Sequence, residues 1–131
     1  MKLPYLLAAL LLATPLVHAA SVVDEALADY RSQGASEFDA TRGQELWNKR
    51  ITGDDGKPRS CSTCHGDDLS AEGKHVRTGK TIAPMAPSAN PQRLTERKTI
   101  EKWFLRNCKW TLGRECSAQE KGDLLVFLHR L

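Results

Sequence analysis

The stretch Cys61-Ser62-Thr63-Cys64-His65 decides the fold. It reads C-x-x-C-H, the spacing at which haem is attached covalently to a chain. Two thiols three residues apart add to the two vinyl groups of one porphyrin, and the adjacent histidine projects its imidazole onto the iron from the same side. Two other chemistries use C-x-x-C: a thioredoxin-like redox pair, which needs a βαβ setting, and half of a zinc site, which needs a second Cys or His pair at short spacing. Neither setting surrounds Cys61. The motif therefore predicts one covalently bound haem c, held by Cys61 and Cys64, with His65 as the proximal iron ligand.

Working towards the N-terminus, Lys2 precedes an almost wholly apolar run from Leu3 to Val17, followed by small residues at Ala19 and Ala20. This is the tripartite pattern of a secretory signal peptide, and the run is shorter than the roughly 20 residues a membrane span needs. Residues 1–19 are expected to be removed before Ala20. Residues 20–131 remain as one haem domain, exported to the periplasm and not membrane-spanning. That domain carries 18 Lys and Arg against 16 Asp and Glu. With no basic tract and no interleaving of aromatic and basic residues, nucleic acid is not an expected partner. A domain this small, with long loops, buries a limited core of its own, so the haem supplies the missing apolar centre.

The remaining segments read as helices and loops. Residues 24–34 suggest a short amphipathic helix or a loosely docked arm. Ser36 is placed to cap a helix through Phe38, Leu46 and Trp47 to Lys49, broken by Gly43, which implies close packing. Gly53-Asp54-Asp55-Gly56-Lys57-Pro58 is turn chemistry, and Ala83 to Pro91, with three prolines, excludes a regular helix. Thr95 is a plausible cap for a helix from Glu96 to Arg106, with Ile100, Trp103, Phe104 and Asn107 on one side. Ser117-Ala118-Gln119-Glu120 is a capping box, followed by Leu124, Phe127, Leu128 and Leu131 at helical spacing. No strand pattern, repeat or second domain is visible. The expected fold is all-α: a small cytochrome c-like domain of class I type wrapped around its haem.

The second axial position of the iron decides the function, because a permanent strong ligand leaves only electron transfer, whereas a weak one admits small molecules. Four residues come into question. His75 reads as a surface side chain, and His129 falls on the polar side of the last helix. Met85, in a Pro-Met loop after the motif, is the ordinary choice of an electron-transfer cytochrome c, though a Met there also fills gaps at a haem edge. Asn107 has the local chemistry of a helix C-cap.

The chain resembles the SHP family of high-spin, oxygen-binding monohaem cytochromes c. The resemblance rests on Cys61 to His65, on Ala83-Pro84-Met85-Ala86-Pro87-Ser88, and above all on Arg106-Asn107-Cys108-Lys109-Trp110 followed by Gly113-Arg114-Glu115-Cys116. It implies that Asn107 opposes His65 as the other axial ligand, that Cys108 and Cys116 form a disulfide, and that Met85 is a bystander. Closing so short a loop contributes roughly 2–3 kcal/mol in the chain-entropy model, and it restrains the residue next to Asn107. The resemblance also implies a dihaem cytochrome c-type electron donor. An amide oxygen is a hard, weak donor that suits ferric better than ferrous iron. The expected behaviour is that Asn107 leaves on reduction, so that ferrous haem binds O₂ or NO, with CO as a convenient probe. No proton donor for oxygen, peroxide or nitrogen-oxide chemistry can be named from the sequence, so an enzymatic role is left open.

Overall fold

The computed structural model describes residues 20–131; the expected signal peptide, residues 1–19, lies outside the described residues. The helices are α1 (Val22–Ser32), α2 (Ala40–Asn48), α3 (Ser62–His65), α4 (Arg97–Leu112) and α5 (Ala118–His129). Two antiparallel ribbons interrupt them: β1 (Ile51–Thr52) with β2 (Pro58–Arg59), and β3 (Gly73–Lys74) with β4 (Thr81–Ile82).

Helix α5 begins as its sequence requires. The Ser117 hydroxyl accepts from the Glu120 N–H, and the Glu120 carboxylate accepts from the Ser117 N–H. Leu124, Leu125, Phe127 and Leu128 are all buried along it, so α5 is the axis of the core. Helix α2 crosses α5 at Gly43, where a Cβ would run into the Asp123 carbonyl and stand 2.8 Å from Phe127 Cβ. Only a residue without a side chain permits that approach. The buried Asp123 carboxylate seals the crossing, accepting from the Asp39 N–H at 2.7 Å and from Arg42 Nε and Nη2, each at 2.9 Å. A buried carboxylate is stable only with such partners.

Of the two readings of the segment before Gly34, the helix is the one present: α1 is capped by Ser21 and buries Val23, Ala26 and Tyr30. The Tyr30 hydroxyl donates to Glu101 on α4 at 2.5 Å. The described residues depart from the sequence reading in three places. Helix α2 starts after Asp39, whose side chain accepts from the Arg42 N–H, because Ser36 is drawn to Gln119 on α5 instead. Helix α4 starts one residue late, since the Thr95 hydroxyl donates back to the Gln92 carbonyl. It then continues six residues past Arg106, because Cys108 and Thr111 prolong the stripe that Ile100 begins, and stops only at Gly113 with φ 72°. Asn107 is thus inside a helix and caps nothing. Finally, turn chemistry at Gly53–Gly56 and Thr78–Gly79 pairs the flanking residues into ribbons where only loops were expected.

Candidate haem site

Three local devices hold the C-x-x-C-H segment. The Ser60 N–H donates to Thr63 Oγ1 at 2.8 Å, which starts the single turn of α3. The Cys61 N–H donates to the Trp47 carbonyl at 3.2 Å, tying that turn to the end of α2. On the other side, β3 lies so close that a Cβ on Gly73 would stand 2.8 Å from His65 Cα. Cys61 and Cys64 are not joined in a disulfide. Burial pushes the Cys61 thiol up to about 11, with the neighbouring Thr111 hydroxyl opposing it.

His65, Cys61 and Cys64 form part of the wall of a cavity of about 800 Å³, far larger than any gap a well-packed core leaves. Two buried nitrogens in that wall, His65 Nδ1 and Trp47 Nε1, have no hydrogen-bond partner among the described residues. The Trp47 and His65 ring centroids are 5.2 Å apart. Burial, reinforced by the Arg93 charge, brings His65 down to about 4, so its imidazole is neutral at pH 7. A neutral imidazole is the form that ligates metal. A covalent haem accounts for a cavity of this size lined by two cysteines and a neutral histidine.

Met85 and Asn107 both line the same cavity. The Met85 loop is held by its own backbone, since the Met85 and Ala86 N–H groups both donate to the Leu69 carbonyl at 2.9 Å. The same loop is gripped by Arg93, whose Nε donates to the Pro84 carbonyl at 2.7 Å and whose Nη2 donates to Ala83 at 2.5 Å. Asn107 sits on the inward side of α4, next to Cys108, which is bonded to Cys116 with both sulfurs buried. His75 is half-buried and also lines the cavity, rather than lying free on the surface as its sequence context suggested. Its Nδ1 accepts from the Arg77 and Thr78 N–H groups at 3.3 Å, which fixes the turn between β3 and β4. His129 is exposed on α5. Sequence reasoning missed Arg93, because nothing beside it in the chain marks it; its partners lie nine and ten residues upstream in the proline-rich loop.

A helical domain that gathers a C-x-x-C-H turn and a neutral histidine around one haem-sized cavity defines a monohaem c-type cytochrome. Residues 33–128 match a family described as a domain of unknown function, DUF1924. The cytochrome c-type protein SHP of Cereibacter sphaeroides is 42% identical over 126 residues, covering 95% of each chain. The chain therefore belongs to the SHP family of cytochromes c. The structure of oxidised SHP, described as an oxygen-binding cytochrome c, matches 86% of this chain and all of its own at a TM-score of 0.77 and 40% identity. Cytochrome c'' of Methylophilus methylotrophus is 34% identical over 88 residues, 67% of this chain and 61% of that protein. Its oxidised crystal structure superposes at a TM-score of 0.70 and 28% identity, covering 82% and 93% of the two chains. The fold is the helical cytochrome c fold of these relatives, and the cofactor is one covalently bound haem c.

Proposed function

We propose that the protein is an exported, periplasmic cytochrome with residues 1–19 as its signal peptide, and that its ferrous form binds O₂ or NO. In this reading Cys61 and Cys64 carry the haem, His65 is the proximal ligand and Asn107 is the weak sixth ligand. The haem would supply an iron that accepts one electron and can take a diatomic molecule. The carboxamide oxygen of Asn107 is a hard donor and holds the ferric state better than the ferrous state, so reduction favours its release. Once released, its NH₂ group is free to donate a hydrogen bond within the cavity. The Cys108–Cys116 bridge restrains the backbone beside it, so the release is a side-chain rotation and not an unwinding of α4.

The observation that carries this reading is the placement of Asn107: in mid-helix, lining the cavity shared with His65, with no hydrogen bond among the described residues to hold its carboxamide elsewhere. The description of the 42%-identical SHP relative as oxygen-binding supports it. The electron comes from a donor of the dihaem cytochrome c type. Ferric and ferrous absorption spectra, the latter with and without CO, test the proposal. A high-spin ferrous form that takes up CO supports it, whereas a ferric sulfur-to-iron charge-transfer band would give the position to Met85, which lines the same cavity, and return the protein to plain electron transfer.

A further inference from the structure

Arg42, Arg97 and Lys121 each meet a carboxylate in an ion pair, whereas Arg93 meets none among the described residues. Yet Arg93 is half-buried in the wall of the haem cavity. Burial lowers its pKa from the ordinary value, and no anion opposes that shift. A guanidinium withdrawn from water without a counter-charge is costly. The missing anion therefore belongs to what fills the cavity.

The side chain is held ready for it. Nε and Nη2 are spent on the Pro84 and Ala83 carbonyls, which leaves both Nη1 hydrogens without a partner among the described residues. The backbone beneath is equally fixed: Leu94 has φ 60°, the one left-handed conformation outside glycine among the described residues. A leucine stays there only where its surroundings over-determine it, and such strain collects at ligand clamps. Leu94 packs against both clusters of the core, so Arg93 stands on a rigid stem.

The wall as a whole is short of negative charge. Arg77, Arg93 and Arg106 line it against one acid, Glu96, which accepts from the Thr99 hydroxyl. Arg77 and Arg106 are exposed, and only Arg93 is withdrawn from water. The haem brings two carboxylates on one edge, its only peripheral anions. The Arg93 charge also bears on His65, so it stands close enough to act on the iron's potential.

We propose that Arg93 binds a haem propionate through its free Nη1 edge, and that this ion pair raises the reduction potential and latches the Ala83–Met85 loop to the porphyrin. The inference presupposes only the covalent haem, whichever residue is the sixth ligand.

The test is a spectroelectrochemical titration of the holoprotein from about pH 5 to about pH 9, in a Met85→Leu parent so that a loosened loop cannot bring sulfur to the iron. Arg93→Gln should shift the one-electron equilibrium at least about tenfold towards ferric, about 59 mV lower in potential. Its potential should also climb as pH falls towards the ordinary carboxyl range of about 4–5, because the uncompensated propionate then takes up a proton. In the parent Arg93 keeps that carboxyl ionised, so the climb is absent. His75 and Glu96, the other groups of the wall that titrate there, are common to both proteins and cancel in the difference, while Arg77 and Arg106 stay charged throughout. Arg93→Lys should recover most of the potential, and the resonance Raman bending band of the propionates should shift in Arg93→Gln. An unchanged potential in Arg93→Gln, a Lys variant as low as the Gln variant, or the full effect from Arg77→Gln or Arg106→Gln instead would overturn the proposal. A crystal structure of the wild-type holoprotein decides without any variant: Nη1 within about 3.2 Å of a propionate oxygen supports the pairing, and a separation beyond about 4 Å overturns it.

Discussion

The guanidinium of Arg59 lies over the ring of Trp110, 4.8 Å from its centroid, and donates to the carbonyl of the same residue at 3.0 Å. Arg59 stands two residues before Cys61, and Trp110 one turn after Asn107. The pair therefore ties the C-x-x-C-H segment to the end of α4, across the cavity that both line. Gly53 makes room for the guanidinium, and Asp55 accepts from it at 2.7 Å.

Arg59→Gln should lower stability by about 1–3 kcal/mol, the worth of a charged hydrogen bond together with the lost stacking. Asp55→Asn should cost much less, because that carboxylate is mostly in water. Chemical denaturation of the two holoproteins gives the comparison. Equal effects would mean that the ion pair, not the Trp110 contact, holds the ribbon.

Gly43→Leu should be damaging as well. A side chain at that position meets the Asp123 carbonyl and Phe127 Cβ, both in the rigid centre of α5. Overpacking of this kind typically costs about 1–3 kcal/mol, and backbone against backbone has little room to relax. Thermal melting followed at the Soret band is the measurement, and an unchanged midpoint would contradict the crossing.

Intact mass should show one haem added to residues 20–131. Under denaturing, non-reducing conditions no thiol should react with iodoacetamide, because Cys61 and Cys64 are used by haem and Cys108 and Cys116 by each other. Two alkylated cysteines would leave the latter pair open.

Asn107→Ala should leave haem attachment intact and open the ferric iron to water and azide, whereas Met85→Leu should change the ferric spectrum little. The ferrous wild type should be high-spin and bind CO. A low-spin ferrous form indifferent to CO would mean that a stronger ligand holds the site, with Met85 first and His75 second, since both line the cavity.

Acid should loosen the start of α5. Hydrogen bonds from Arg114, above all, and from Ser117 hold the Glu120 carboxyl at about 2, against its ordinary 4.5. A depressed folded-state value stabilises the protein above the unfolded value, and the contribution is lost as pH falls from about 4.5 towards 2. Glu120→Gln should be less stable than wild type at pH 7 and should flatten the pH dependence of the melting temperature in that window.

What could be read in the chain was what short segments decide for themselves. Ser117 and Glu120 are three residues apart, and the helix they open is present with both reciprocal bonds formed. Gly43 was legible as a close contact, and the contact is with Asp123 and Phe127 of α5. Ser36 and Thr95 misled for one reason: each hydroxyl could satisfy a nearby helix start, but each found a better partner, in Gln119 or in the Gln92 carbonyl. A capping residue competes with every other partner within reach, and the sequence does not show which of these the fold brings near.

The haem site divides along the same line. Covalent haem was legible in the sequence alone, because the five consecutive residues Cys61 to His65 form the whole motif whatever surrounds them. The tertiary structure decided what faces that haem. It carried α4 through Asn107 to Gly113, brought Met85, His75 and Asn107 to one cavity, and set Arg59 against a carbonyl 51 residues away. Those placements depend on burial and packing between distant segments, which no local spacing records.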